Sequence, residues 1–309
     1  MHRFEFRAMG TEVLVAVDND EATVGAQLSR VPGWFEGWEQ VFSRFRSDSE
    51  LSRLNQSNGA PFSASMDLWE VVHLALENAR QSQGLVSPAI LPALEYAGYV
   101  SSFKEMAKIQ FNAFTEFSLE PPPAETIRTD PISRTITLLE GARIDLGGVA
   151  KGWAAHQTAK RLSPLGAVMV DAGGDIAVDI PTGESQGWLI DVKDPRDSAT
   201  LHTIELGRGG IATSGRDRRQ WQLNGRVQHH IIDPRSGLPA ETGVLTATVI
   251  APTVMEAEMA AKTVLILGVD AGLEWLEQRV DCAGLIVPEH GSVTSTSVFE
   301  KYMKARTWN

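Results

Sequence analysis

The chain has 309 residues, enough for one large domain or two average ones, each with an adequate core. Its 43% hydrophobic and 22% charged residues match an ordinary globular protein, and no run of roughly 18 apolar residues suggests a membrane span. With 28 Lys and Arg against 39 Asp and Glu, the net charge of −11 argues against a nucleic-acid or anionic-membrane binder. A small anionic ligand stays open, because a few local donors override a screened distant field. The single cysteine, Cys282, lies among apolar residues and permits no intrachain disulfide, so nothing asks for an oxidising compartment. The opening segment MHRFEFRAMGTEV has neither the apolar run of a signal peptide nor a lipid-acceptor cysteine. The expectation is a cytoplasmic protein.

Alternation of Phe4, Phe6 and Ala8 with Arg3, Glu5 and Arg7, followed by EVLVAV, predicts an N-terminal antiparallel pair. Apolar residues from Val24 to Phe42 recur every three or four positions and predict a helix over 21–44, kinked or broken at Pro32. A short helix follows in DSELSRLNQ with Asp48 or Ser49 as its cap, and another runs from Met66 to Gln83. Residues 84–125 are turn-rich, PPPAE at 121–125 reads as a loop, and TIRTDPISRTITLLEGARIDL reads as a hairpin. The later elements are a helix AKGWAAHQTAKRL, a strand AVMVDAGGDIAVDI bent at its glycines, and strands WLIDVKDP and LTATVIAP. Helices from Val254 to Leu267 and in AGLEWLEQRV follow, with short strands at the end. Helices segregated between antiparallel hairpins predict an α+β fold. The whole chain, 1–309, reads as a single domain, with 121–130 the candidate internal subdivision.

Four segments carry candidate chemistry. IDLGGVAKG is a strand, a Gly-Gly turn and a helix start, so backbone amides and Lys151 could meet an anion there. It matches neither the P-loop nor the dinucleotide-binding glycine spacing. DAGGD is a second glycine turn, where Asp171 or Asp175 could accept from a sugar hydroxyl or amine. Between Gly210 and Gly237, a Thr213-Ser214-Gly215 turn, a charged hairpin, His229-His230 and an Asp-Pro-x-Ser-Gly turn gather hydroxyls, backbone donors and an imidazole. In an extended segment only one of the two histidines can face a site, and no His-x-His or HExxH pattern supports zinc. Finally, Glu258 and Lys262 stand four apart on one helix, in the order that favours an ion pair. Spacing alone favours an exposed pair worth a few tenths of a kcal/mol.

Taken in order, MGTEVLV, FSRFRSDSELSRLN, GLVSPAILPAL, DLGGVAKG, VDAGGDIAV, WLIDVKDP, IATSGRDRR, HHIIDPRSG and the helix ending KTVLILG resemble the ApbE-type FAD:protein FMN transferases. The matching set runs over residues 9–268. The resemblance implies two related antiparallel-sheet-plus-helix units around an FAD cleft. It further implies transfer of the FMN half of FAD to a Ser or Thr hydroxyl of an acceptor flavoprotein, with release of AMP and a magnesium ion at the pyrophosphate. By position it places Met9 and Asn55 near the flavin and adenosine portions, and Gly173, Gly174 and Asp175 along the nucleotide. It sets Thr213, Ser214 and Gly215 on the phosphate side and His230 beside the reacting phosphorus, as the acceptor's base or orienting partner. The Ala150 carbonyl becomes a metal ligand, and Lys151 approaches the phosphates.

Two departures stand out. The family's Asp-x-x-x-Thr metal pair falls on Glu258 and Lys262, and an ammonium offers magnesium no oxygen. Lys262 is therefore expected to replace part of the metal's charge at the catalytic site, with Glu258 either a looser metal ligand or the holder of the lysine. The family's Phe-Asp-Pro-Thr run reads Val86-Ser87-Pro88-Ala89, which removes a carboxylate. The alternatives to transfer are an FAD pyrophosphatase, with water as acceptor, and a non-catalytic FAD-binding protein.

Overall fold

The computed structural model describes residues 1–106, 120–181, 187–223 and 225–303. The chain forms two compact units. One is drawn from residues 1–32, 151–217 and 242–309, the other from 33–150 and 218–241. Both combine antiparallel strands with helices, so the expected α+β class holds.

Unit one is built on an eight-stranded antiparallel sheet whose spatial order follows the chain. Its strands are β1 (His2–Ala8), β2 (Thr11–Asp18), β3 (Ala167–Ala172), β4 (Asp175–Asp179), β5 (Gly209–Gly215), β6 (Val244–Ala251), β7 (Ala283–Pro288) and β8 (Thr294–Ser295). Edge strand β1 keeps the alternating half-buried pattern that its sequence predicts, whereas β7 is buried along its whole length. Two hairpins close on turns of two residues, Met9-Gly10 and Gly173-Gly174, with φ of +50° and +71°, and of +74° and +97°. Positive φ at both central residues matches the right-handed strand twist, and glycine reaches it without cost. The glycines in AVMVDAGGDIAVDI therefore reverse the chain, giving the hairpin β3–β4 in place of one bent strand.

The helices of unit one are α1 (Ala22–Leu28), α2 (Ala150–Leu162), α3 (Val254–Leu267) and α4 (Val269–Glu277). Helix α3 opens on a capping box, in which the Thr253 hydroxyl accepts from the Glu256 N–H and the Glu256 carboxylate from the Thr253 N–H. Ten of its residues are buried, including Glu258 and Thr263. A helix apolar on nearly all sides belongs in a core. It meets the sheet through small residues, Ala257 packing on Ala212 and Ala251. The opposite sheet face, with Ile176, Val178, Ile211 and Ile250, packs on Ile190, Val192, Ile204 and Leu206 of the two-stranded sheet Trp188–Lys193 and Thr200–Leu206, and on Phe299.

Unit two holds the three-stranded sheet of Phe62–Ser63, Ile127–Asp130 and Thr135–Leu138, two short hairpins and the helices Val31–Phe42, Glu50–Asn55, Met66–Gln81 and Leu91–Tyr96. The helix expected over 21–44 is two helices, 22–28 and 31–42. Pro32 sits in the first turn of the second, where its missing N–H leaves nothing unsatisfied. Ser49 is the cap, its hydroxyl accepting from the Ser52 N–H at 3.0 Å. The helix expected to reach Gln83 stops at Gln81, before the positive φ values of Gln83 and Gly84. The turn-rich stretch 84–125 contains two short helices, Leu91–Tyr96 and Phe103–Met106, and its positions 107–119 lie outside the described residues.

Gly210 of β5 lies under the start of α3, where a Cβ would collide with the backbone of Thr253 and Val254. Gly210→Ala is therefore expected to lower unfolding stability by about 1–3 kcal/mol, the range for overpacking a closed contact. Urea unfolding of the two proteins checks this, and an unchanged midpoint would refute the close approach.

A buried four-charge candidate site

Strand alternation sets the floor of the site. Asp175, the first residue of β4, stands opposite Ala212 of β5, while its neighbour Ile176 stands opposite Ile211 in the core layer. Cross-strand partners share a face, so Asp175 and Ala212 look toward α3. Lys151 comes from the first turn of α2, and Glu258 and Lys262 lie one turn apart on α3. The Lys151 ammonium donates to both Asp175 Oδ2 and Glu258 Oε1, the latter at 3.2 Å. Lys262 Nζ donates to the same Glu258 Oε1 at 2.8 Å. The Glu258 and Asp175 side chains are 1% and 7% exposed, and those of Lys151 and Lys262 are 14% and 15% exposed. The helical ion pair that spacing alone would leave at the surface is thus inside.

Burial works against the charge on Glu258, but Lys151 and Lys262 outweigh it and hold its carboxyl below the usual carboxylate range. For Asp175 the balance goes the other way. Burial first, then the Glu258 charge, push its carboxyl up, and the lysines only partly offset them. Glu258 Oε2 has no hydrogen-bond partner and lies over Gly152 of α2, where a Cβ would come within 2.7 Å of it. A Cβ at Gly152 would push on that oxygen, so the glycine keeps room for the Glu258 carboxylate. A glycine inside the helical run AKGWAA was the sequence signal for it.

The other expected residues of unit one fall at the same end of the sheet. The Gly174 N–H donates to Asp171 Oδ1 at 2.7 Å, and the Gly174 carbonyl accepts from the Thr213 N–H at 3.2 Å. Gly173 faces Thr11, which leaves no room for a Cβ, so the Met9-Gly10 hairpin and the Gly173-Gly174 turn are neighbours. Thr11 is a contributor that sequence reasoning passed over. Alternation separates Thr213 from Ser214. Buried Ser214 shares the helix face with Ala212, while the Thr213 hydroxyl bonds Thr248 across the opposite face at 2.9 Å. Gly215 is crowded by Asp217 and Thr246, so it too must lack a side chain.

Three expected residues, Asn55, Ala150 and His230, belong to unit two. The Asn55 amide brackets one backbone residue, its oxygen accepting from the Ile144 N–H at 2.8 Å and its nitrogen donating to the Ile144 carbonyl at 2.9 Å. Ala150 starts α2, its N–H donating to Leu146 O at 2.9 Å. His229 is buried, its Nδ1 accepting from the Ile231 N–H at 3.3 Å and its Nε2 lying 3.0 Å from the Ala240 carbonyl. These bonds fix the neutral tautomer with the proton on Nε2 and make His229 part of the scaffold. His230 follows directly after the strand Arg226–His229. The Ser87 hydroxyl, at the altered Val86-Ser87-Pro88-Ala89 run, accepts from the Ala89 N–H at 3.2 Å.

Magnesium requires a near-octahedral set of oxygens at about 2.0–2.1 Å. Here both carboxylates already hold ammonium groups, and the four charges sum to zero. A divalent ion among these groups would be repelled by the ammoniums about as strongly as the carboxylates attract it, so the set offers it little net attraction. Among the described residues no group of three His, Cys, Asp or Glu could hold a metal. With all four groups in place, the site does not fit the ion.

Comparison with known proteins gives one consistent result. A family model described as the ApbE family matches residues 9–286. A Haemophilus influenzae protein named FAD:protein FMN transferase is 29% identical over 276 residues, covering 85% of this chain and 80% of its own length. An Escherichia coli protein of the same name is 25% identical over 299 residues, covering 93% and 84%. In fold, the chain superposes on the ApbE protein of Thermotoga maritima with a TM-score of 0.85 at 23% identity, covering 98% and 99% of the two chains. It superposes on the Pseudomonas stutzeri flavinyl transferase ApbE with a TM-score of 0.81 at 22% identity, covering 99% and 98%.

Because its carboxyl is held low, Glu258 contributes stability that is complete above its unfolded value and is lost as pH falls through the folded one. Glu258→Gln removes the one carboxylate partner of the Lys262 ammonium and leaves Lys151 with Asp175 alone, so a loss of about 3–5 kcal/mol at neutral pH is expected. The gap to the parent protein should narrow as pH falls beneath the ordinary glutamate range, where the native carboxyl at last protonates. Asp175→Asn should cost less, since Lys151 keeps Glu258 as partner. Urea titrations across this pH range test both, and equal losses for the two variants would contradict the assignment.

Proposed function

We propose, from the premise that this chain belongs to the ApbE family, that it transfers the FMN half of FAD to a Ser or Thr hydroxyl of an acceptor flavoprotein and releases AMP. The observation that carries this reading is the cluster of Lys151, Asp175, Glu258 and Lys262, three of whose elements come from separate motifs of the family pattern. The names of the curated relatives support the same activity. A cytoplasmic setting belongs to the reading, since one cysteine asks for no oxidising compartment.

Phosphoryl transfer depends on positioning and charge neutralisation more than on covalent help from the protein. In the proposed reaction the acceptor hydroxyl oxygen bonds to the FMN phosphorus. The bond from that phosphorus to the bridging oxygen breaks, and AMP leaves with the electron pair. The hydroxyl proton passes to a base, the role we assign to His230. Lys151 and Lys262 lie toward the phosphates, where ammonium groups offset the charge that develops on the leaving phosphate. Asp175 and Glu258 set the direction of those ammoniums. The Gly173-Gly174 turn, with Met9 beside it, and the Ser214-Gly215 end of β5 line the nucleotide, Thr213 braces the Gly174 backbone, and Asn55 holds Ile144 within unit two. Magnesium is given no step, because the four-charge set does not accept it.

Incubating the protein with FAD and a candidate Ser- or Thr-bearing acceptor separates the readings. AMP with a covalently flavinylated acceptor is the expected result. AMP with free FMN would replace transfer by pyrophosphate hydrolysis, and neither product would leave an FAD-binding protein. His230→Ala should lower the transfer rate by about 10²–10⁴-fold, the usual contribution of a general base, while FAD binding stays close to the parent's.

A further inference from the structure

We propose that the Lys262 ammonium is a permanent resident cation of this site, so that the protein binds the pyrophosphate of FAD without a divalent metal. The inference rests on the flavin-transfer reading and deepens it at one atom. Three observations support it.

First, Glu258 is almost fully buried, and Lys151 and Lys262 both donate to its Oε1. The ammoniums are therefore constituents of the folded site, present before any ligand arrives. Second, two carboxylates and two ammoniums leave no net charge, so an incoming anion meets no uncompensated carboxylate that would need a metal to mask it. Third, among the described residues Lys262 makes one hydrogen bond, to Glu258 Oε1, whereas an ammonium has three donors. Its side chain is buried except for 15% of its surface, so the remaining donors belong to a nearly enclosed group with a small open face. A charge-assisted bond from such a group to a phosphate oxygen is strong, and its direction is already set by the Glu258 bond one helical turn back. Being covalently part of the chain, this cation cannot dissociate or be chelated.

The test uses the full-length protein, stripped with EDTA and checked for residual magnesium and manganese by elemental analysis, with FAD binding read from flavin fluorescence. The expected result is the same FAD affinity in EDTA and in excess magnesium. Lys262→Met should weaken FAD by roughly tenfold or more, the loss of one charge-assisted bond. Lys262→Arg should retain most of the affinity. Lys262→Thr, which restores an oxygen and removes the charge, should bind FAD in a magnesium-dependent way. Circular dichroism and thermal unfolding identify any variant that fails to fold, and the EDTA comparison on the parent protein needs no variant. Parent binding that collapses in EDTA and returns with magnesium would overturn the proposal, as would a folded Lys262→Met with parental affinity. Absence of FAD binding under every condition would instead sink the flavin reading itself. EDTA-resistant, Lys262-dependent binding without transfer would leave the resident cation standing and remove only the reaction assigned to it.

Discussion

A carboxylate hidden beneath a helix has to be answered by positive charge, and Glu258 is the group to which the rest of unit one conforms. At 1% exposure its charge survives only with Lys151 from α2 and Lys262 from α3 within hydrogen-bond reach. Those distances in turn require α3 to lie close on both the sheet and α2. It does so because both surfaces present glycine at the crossing, Gly210 on β5 and Gly152 on α2, backed by Ala212, Ala251 and Ala257. Larger residues there would lift the helix and separate the charges. Packing and electrostatics thus impose a single requirement, which explains why a small-residue contact and a charged cluster share one location.

Much of this architecture could be read from the residues. Alternation announced β1 and β2, the 3.6-residue period announced the helices, and the glycine pairs announced turns. The break expected at Pro32 is present and falls just before it, between 28 and 31, because proline suits a helix start. What failed had local physical causes. Two glycines in DAGGD suit a strand bend and a two-residue hairpin alike, and only their positive φ decides for the hairpin. The burial of Glu258 was not legible at all. An i, i+4 pair has the same spacing in solvent and in a core, and the deciding neighbours, Lys151 and Asp175, are 107 and 83 residues away along the chain (258 − 151 and 258 − 175).

Unit two shows the complementary use of polar groups. Asn55 spends its amide on both backbone groups of Ile144, and His229 joins the Ile231 N–H to the Ala240 carbonyl. Arg44 pairs with Asp145 at 2.8 Å, donates to the Tyr99 carbonyl at 2.7 Å, and stacks against the Phe45 and Tyr99 rings. Tyr99 in turn stacks on Trp221, whose indole N–H donates to the Ala97 carbonyl at 2.7 Å. Residue types that suggest ligand chemistry in a bare sequence are here joined to backbone or to one another. Such groups order loops that have little apolar surface of their own.

The three-segment composition of unit one bears on how the protein comes to exist during synthesis. Its first hairpin, β1–β2, pairs with a strand that begins about 150 residues later, and β5 awaits β6 across the whole excursion 218–241. Lys151 and Asp175 both leave the ribosome well before α3, so for that interval Asp175 has its lysine while the place of Glu258 stays vacant. The four-charge set can close only after the last segment arrives. A chain halted just short of α3 would therefore carry six of the eight strands of the sheet and an incomplete charge set. Maturation of the active arrangement thereby becomes a late event in the birth of the molecule.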